Sequence, residues 1–532
     1  MKTLSLTHKD RLIIEKNHLT VDIVNSQFLN LKKGNIPVKL IRPASLDDGI
    51  LQFSKEKKEE LVKRFDENSI NHSIIKFVPA SGAASRMFGH LSCNLKRSRQ
   101  TQTISPSLKD YNGENKYLST FLEALRKHKF AFHDDLENVL KKDGKNFDNI
   151  IASCNTGTLL EYILEPKGLN YNYIPKGLVK FHKYSDISIS PVGEHFLEAI
   201  MYAKGIDGKV NIHFTINKNF LQEFSFEVKK LQELFNNFGY SVNVDFSFQG
   251  DETNTISINN TGEIVRDKEG NILLRAGGHG SLIKNLNDLK SDIIFIKNID
   301  NVTTGDRLND TIEYKKVLFS FLLEIREKIF SSINTLPKII KDGESINNIY
   351  CFSKDVLNIP FPSEFINFEL DKKKKILKEK LNRPVRICGM VRNENEPGGG
   401  PFWIHNKDGH ISLQIVEKSQ IDVSIPEQLE ILKQSSYFNP VDIVCSTKNY
   451  RGEIFDLKDY VEESRYFISE KDYEGKQIKI FEHPGLWNGS MEKWISLFVE
   501  VPSSTFNPVK HVNDLLKMPH HTLGNTRFSD LI

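Results

Sequence analysis

The sequence predicts an α/β fold: a mixed, mostly parallel sheet flanked by helices, with a helical insertion and a β-rich C-terminal portion. Three observations predict it. Apolar β-like runs recur at Ile74–Val78, Leu178–Phe181, Val210–Ile216, Val242–Phe248 and Ile293–Lys297. Segments with helical apolar spacing lie between them, Asn219–Phe238 being the plainest, and such alternation is the pattern of a sheet covered on both faces. From about Asn382 to Leu516 the texture changes to short β-like runs separated by Gly, Pro and Asn, which marks a second, β-rich portion.

Taken in order, residues 1–72 read as mainly helical and polar, with Ser54–Phe65 offering strong helix formers behind a serine start. Residues 93–150 combine a polar, looping piece, Ser98–Lys116, with helical segments at Tyr117–Lys127 and Asp134–Lys142. Asp310–Ile333 reads as a long amphipathic helix with Val317, Leu318, Phe321, Leu322 and Ile325 on one side. The run Lys372–Lys375, followed by alternating Lys and Glu, reads as a solvated helix face. The expected division is an N-terminal helical segment (1–72), an α/β core (73–335) with a helical insertion at about 93–170, and a β-rich C-terminal portion (336–532). There is no internal repeat and no strongly biased tract.

Composition excludes several classes. The 532 residues are 39% hydrophobic and 27% charged, which is globular. A net charge of +3 leaves no basic excess that would call for nucleic acid. Cys93, Cys154, Cys351, Cys388 and Cys445 are scattered and odd in number, so neither a disulfide framework nor a zinc knuckle is expected. The first ten residues lack the apolar core of a signal peptide, and no segment approaches the ~20 apolar residues of a membrane span. A cytoplasmic protein is the expectation; the sequence is silent on oligomeric state.

Five short motifs carry chemistry. In the first, the strand Ile74–Val78 runs into Ala80-Ser-Gly-Ala-Ala-Ser-Arg86. The tiny residues Ser81, Gly82, Ala83, Ala84 and Ser85 leave backbone N–H groups bare enough to approach a phosphate, and Arg86 adds a fork of donors. In the second, Pro175 and Gly177 bracket Lys176 at the mouth of a strand, a point charge suited to phosphate. The third is an apolar strand ending in Gln249, whose amide can pair with a base edge. The fourth surrounds His279 with Gly277, Gly278 and Gly280, where the backbone can come very close to a ligand. In the fifth, an apolar strand ends in Asn298, Asp300 and Asn301, and a carboxylate there sits where α/β sheets bind ligands and suits Mg²⁺. Each motif has an ordinary alternative when read alone: a tight turn, a surface lysine, a plain strand end, a glycine turn, an Asp-Asn turn.

The order of the five resembles the nucleotide-sugar pyrophosphorylases, and within them is most similar to the UDP-sugar pyrophosphorylase branch. The resemblance implies a glycosyltransferase-A-like Rossmannoid sheet. It also implies that Ser81–Arg86 wraps the nucleotide phosphates, that Lys176 contacts phosphate, and that Asp300 binds Mg²⁺ or Mn²⁺. Gln249 and Gly278 would face the nucleotide, with His279, Gly280 and Asn298 on the sugar side. Downstream, Gln414–Ile421 looks like the family's Val-Val-Glu-Tyr-Ser-Glu segment, which makes Glu417 a sugar-hydroxyl ligand. Arg392 and the segment Glu396–Pro401 precede it, either shaping the acceptor pocket or forming a glycine turn. Tyr437–Asp442 and His483–Asn488 receive no role. The texture is also similar to an uncharacterised bacterial domain-of-unknown-function family, over about Lys76 to Leu516.

The chain departs from the family pattern in two places. The loop has one glycine where the family has three, and alanine restricts positive φ. An insertion separates Arg86 from Lys176, which reads as a helical lid. The expected function is nucleotidyl transfer from a nucleoside triphosphate, with UTP favoured, to a sugar 1-phosphate, with Arg86 and Lys176 as the catalytic cations. The alternatives are a non-catalytic nucleotide- or sugar-phosphate-binding protein on the same fold, motivated by the single-glycine loop, and a metal-dependent glycosyltransferase.

Overall fold

The apolar runs become strands at Ile74–Pro79, Val210–Ile216, Val242–Phe248 and Ile293–Ile296. The computed structural model describes residues 4–101, 113–153, 155–341, 343–394, 398–407 and 409–532. Positions 102–112 of the looping piece, Cys154, and Glu396 and Pro397 of the glycine-rich turn lie outside the described residues. The chain forms two units. One comprises Met1–Glu67, Phe248–Phe295 and Val317–Val501; the other comprises Asn68–Ser247, Ile296–Lys316 and Pro502–Ile532. Each is thus assembled from three stretches of chain, where the sequence reading divides it into contiguous blocks.

In the first unit, Val385–Arg392 pairs parallel with Ile495–Glu500 and antiparallel with Ile443–Ser446, so that Cys388 faces Phe498 on one side and Ile443 on the other. Gly49–Leu51 extends this mixed sheet parallel to Ile495–Glu500. Val385–Met390 and Ile443–Ser446 are buried throughout, as strands covered on both faces must be. A second sheet has the order Leu274–Ala276, Asn254–Asn259, Lys476–Glu482, Phe467–Tyr473. The helices His8–Lys16 and Val21–Lys33 cover it, burying Ile14, Val24 and Leu31 against Ile256, Ile258 and Phe481. Both begin at a threonine cap: the Thr7 hydroxyl accepts from Asp10 N–H, and that of Thr20 from Ile23 N–H. A third sheet joins Leu40–Pro43, Gly399–His405 and Ile411–Glu417.

The second unit is built on Ile74–Pro79, parallel to Val210–Ile216 with Val78 opposite Phe214. The helices Pro191–Tyr202 and Leu221–Asn237 belong to it. The first starts with proline behind a Ser190 cap, a pre-formed first turn. The insertion is helical, with Gly113–Arg126, His133–Lys142 and Thr156–Leu164 among its elements. It does not stand off as a lid. Phe121, Leu125, Leu136 and Leu160 share one core with Ala84 and Met87 of the loop and with Val509 and Val512 near the C-terminus. The apolar stripes of these helices are complementary to that surface, and burying them is the main force holding the insertion in place.

Three readings are corrected here. Leu178–Phe181 is not a strand: Lys176–Leu178 forms a 3₁₀ turn and the strand is only His182–Lys183, because Pro175 and Gly177 bend the chain. Residues 1–72 are mainly helical as expected, but the reading missed the short strands Leu40–Pro43, Ser45–Leu46 and Gly49–Leu51 between the helices. Within the charged helix Leu370–Leu381, Lys373 is buried rather than solvated. Helix predictions elsewhere fall close to the observed Lys55–Asn68, Leu221–Asn237 and Asn309–Thr335. No helix among the described residues is long and apolar enough to cross a membrane. Cys93, Cys351, Cys388 and Cys445 are unpaired.

A buried polar chain in the second unit makes the fold acid-sensitive. His182 Nδ1 lies 2.7 Å from Glu194 Oε1 and His182 Nε2 lies 2.9 Å from His520 Nδ1, while Tyr184 donates to Glu194 at 2.9 Å. Burial pushes His182 down to about 3 and His520 down to about 2, so both are neutral in the folded state well below the ordinary histidine value. Below about pH 6.5 the unfolded chain binds two protons that the folded chain refuses, so stability falls as pH drops. Burial also raises Glu194, which lets the folded state keep one proton and offsets one of the two. The net expectation is a loss of stability as pH falls from about 6 to about 5, on the order of 1 kcal/mol per pH unit. Thermal unfolding across that range checks it; a midpoint that is flat or rises on acidification contradicts it.

Candidate functional site

The phosphate-loop motif and the lysine motif, far apart in sequence, lie side by side in the second unit. Lys176 N–H donates to Gly82 O at 3.0 Å, Ala84 N–H donates to Ile174 O at 3.0 Å, and Ala83 and Pro175 form an antiparallel bridge between them. The loop is anchored at its start by Ala80 N–H on Thr215 O, 2.8 Å. Ser81, Gly82, Ala83, Ser85 and Arg86 are exposed and Ala84 is buried. None of residues 80–86 has positive φ, so Ala80, Ala83 and Ala84 follow this path without strain. The N–H groups of Ser81, Gly82 and Ala83 have no partner among the described residues. Three consecutive free donors beside an exposed guanidinium make an anion-binding edge.

Lys176 reaches from the 3₁₀ turn to Asp300 Oδ2 at 2.7 Å and also donates to the Val509 carbonyl. Both charged side chains are mostly enclosed, at 15% and 22% exposure, which strengthens their attraction and keeps the ammonium in one place. Gly177 permits this approach: a Cβ there would lie 3.1 Å from Ile299 Cγ1, next to Asp300. Val509 N–H donates back to Asp300 O at 3.3 Å. Of the three polar residues closing the strand Ile293–Ile296, Asp300 alone meets Lys176. Asn301 is a scaffold instead, its side chain accepting from Asn507 N–H at 2.7 Å and donating to Thr505 O at 3.3 Å. Asn298 is half-buried, and its carbonyl accepts from Asn301 N–H.

The first unit gathers a second set. Gly278 adopts φ +80, a turn that glycine favours, and leads into His279–Leu282. The close approach that Gly277 and Gly280 allow is used by the protein's own backbone rather than left for a ligand. A Cβ on Gly280 would lie 2.1 Å from Pro484 O, and one on Gly277 would lie 2.6 Å from Thr253 O. The unassigned segment His483–Asn488 is therefore the partner of the glycine motif. His483 N–H donates to Gly277 O at 2.9 Å, Leu486 N–H donates to His279 Nδ1 at 3.1 Å, and the His279 ring stacks on Trp487 with centroids 4.3 Å apart. With Nδ1 accepting, the neutral ring carries its proton on Nε2, and that atom faces Glu417 Oε1 at 3.7 Å. Gln420 ties Glu417 to Asn488, accepting from Glu417 N–H at 3.0 Å and from Asn488 Nδ2 at 3.3 Å. Asn488 Oδ1 and Gln249 Nε2 are enclosed without a partner among the described residues. Histidine, carboxylate and amide groups converging beside an indole face are the equipment for hydroxyl recognition.

A family model for a domain of unknown function, DUF4301, matches residues 7–521. The chain belongs to the DUF4301 family. No curated protein matches its sequence. Among solved structures, this DUF4301 chain is similar to the UDP-glucose pyrophosphorylase of Leishmania major, at 12% identity and a TM-score of 0.43 over 96% of this chain and 79% of that one. It is similar to the uridine diphosphate N-acetylglucosamine pyrophosphorylase of Trypanosoma brucei at 12% identity, a TM-score of 0.46 and the same coverage.

Beneath the anion-binding edge, the DUF4301 chain buries an ion cluster that sequence reasoning missed. Lys76, on the strand that feeds the loop, and Lys297 both pair with Glu198, at 2.8 and 2.6 Å, and Tyr202 OH donates to the same carboxylate at 2.8 Å. All three charged groups are buried. Burial holds Lys76 down to about 7. Burial alone would raise Glu198, but Lys297 and Lys76 hold its carboxyl well below the usual range. The Val509 carbonyl was missed because a backbone acceptor leaves no mark in sequence. A lysine inside the apolar run Ile74–Val78 was the one available signal for the cluster. Among the described residues, the three-ligand metal grouping is His128, His133 and Glu137, which is none of the predicted ligands.

Proposed function

We propose that the protein is a nucleotidyltransferase that joins a nucleoside triphosphate, UTP first among candidates, to a sugar 1-phosphate and releases pyrophosphate. The observation that carries this reading is the meeting of a free-donor loop, Arg86, Lys176 and Asp300 in one unit. A phosphate oxygen of the sugar 1-phosphate attacks the α-phosphorus; the new P–O bond forms as the bond to the β-phosphate oxygen breaks, and pyrophosphate leaves with the electron pair. Such transfer asks for in-line positioning and charge neutralisation rather than covalent help. The N–H groups of Ser81, Gly82 and Ala83, with Arg86, hold the β- and γ-phosphates. Lys176 lies against the attacking and α-phosphates. The orphan amide of Gln249 and the Gly278 turn serve the nucleotide. His279, Glu417 and, less directly, Gly280 and Asn298 serve the sugar.

A divalent ion, Mg²⁺ or Mn²⁺, fits Asp300. Its Oδ1 has no partner among the described residues, and such ions are commonly held by one or two carboxylates with substrate phosphates completing the shell. When bound, the ion would neutralise charge on the α-phosphate. The test is pyrophosphate release from UTP with Mg²⁺ across a panel of sugar 1-phosphates. Release that depends on one sugar phosphate supports the reading. Triphosphate binding without release favours a non-catalytic binder, and turnover of a nucleotide sugar without pyrophosphate favours a glycosyltransferase.

A further inference from the structure

The first unit holds a cavity of about 330 Å³ whose lining includes neither His279 nor Glu417. Five cationic side chains line it, Lys380, Arg383, Lys407, Arg465 and Lys493, against two carboxylates, Glu462 and Glu492. Lys380 has partners of its own, and the two carboxylates serve Arg465, Lys407 and Lys493, which leaves Arg383. Glu492 is taken by Arg465 in a two-point pair, 2.7 and 3.0 Å. Glu462 is shared, with Lys407 and Lys493 each 3.7 Å away. Arg383 pairs with none of the described carboxylates: its Nε and Nη1 donate only to the carbonyls of Glu379 and Lys493, both at a long 3.4 Å.

The wall adds to the imbalance. The indole N–H of Trp494, a lining residue, is buried without a partner. Behind Ser496, another lining residue, lies Arg386, wholly buried, donating to Ser496 Oγ at 2.8 Å and Trp487 O at 2.6 Å and making no carboxylate pair. Its Nη2 has no partner. A buried guanidinium stays charged and its field is poorly screened by solvent, so it raises the potential of the cavity it adjoins. A lining guanidinium without a carboxylate partner, beside a space of this size, is completed by an anion of small-metabolite dimensions.

We infer that this cavity is a binding site for a small phosphorylated metabolite, with Arg383 and Lys493 as its principal phosphate ligands. The guanidinium supplies a planar fork with three donors unused, and Lys493 supplies an ammonium at the rim, its side chain 45% exposed and one of its donors on Val461 O at 2.8 Å. The site is independent of the nucleotide reading, because none of its ligands comes from the loop, Lys176 or Asp300.

The test uses inorganic phosphate as the probe and isothermal titration at constant ionic strength, on full-length protein carrying Lys176→Ala so that the loop site is already impaired. Saturable binding is expected. Adding Arg383→Met, which keeps most of the apolar stem, or Lys493→Met should each weaken it by about tenfold or more, the scale of a lost charged hydrogen bond. Lys493→Met, at a half-exposed position, guards against a folding artefact at Arg383, and the unliganded melting temperature of each variant reports it. Absence of saturable binding, or an affinity unchanged in both variants, overturns the inference.

Discussion

Replacing Lys176 by alanine is expected to lower turnover by about 10²-fold or more, the scale of removing one preorganised electrostatic group. The ammonium is held by Asp300 at 2.7 Å and by the Val509 carbonyl, so it waits in position and need not be recruited at the moment of transfer. Alanine removes the charge and with it the group that holds Asp300 at 2.7 Å. Steady-state rates with the best sugar phosphate check it. Arginine at this position should not restore the rate, since a planar fork cannot occupy the slot shaped for a point charge. Activity within twofold of wild type would remove Lys176 from the mechanism.

The second large effect is on stability. Glu198→Gln should destabilise the fold by about 3–5 kcal/mol, because it leaves two buried lysines facing a neutral amide, and breaking a buried pair exposes the full desolvation cost of what remains. Lys76, Lys297 and Glu198 are at most 2% exposed, so a lysine left without its carboxylate must keep its charge unsolvated or give up its proton, and either costs stability. The pH dependence has a definite sign. Burial holds Lys76 at about 7 in the folded chain against 10.5 ordinarily, so between those values only the unfolded chain binds the proton, and the contribution of Lys76 to stability rises with pH across that window. Denaturant unfolding of wild type and variant near pH 7 measures the loss. A change below about 1 kcal/mol would mean that the cluster is not the buried charge centre described here.

What the sequence disclosed follows from range. Local signals were legible: the helix caps, the apolar runs and the bare-backbone loop each state their conformation within a few residues. The parallel partner of Ile74–Pro79 was not, because pairing with Val210–Ile216 is decided by packing across more than a hundred positions. Leu178–Phe181 looked like a strand because apolar content alone cannot tell a strand from a buried bend; Pro175 and Gly177 decided it. Lys176 and Asp300 were readable as candidates, and their meeting is a tertiary fact. The glycine motif was read as room for a ligand, whereas the atoms that occupy that room belong to His483 and Pro484, a segment without a recognisable chemical signature. Glu198 went unnoticed since a carboxylate within the helix Pro191–Tyr202 looks solvated until its two lysine partners are placed.

The measurement that bears most directly on the central claim is a thermal-shift titration of the protein with UTP, CTP, ATP, GTP and dTTP, each with and without Mg²⁺. The account predicts a saturable, Mg²⁺-dependent stabilisation by one triphosphate, about 2.7 kcal/mol at roughly 100 times its dissociation constant, abolished in Lys176→Ala and in Asp300→Asn. No shift with any triphosphate, or a shift that survives both substitutions, would contradict it.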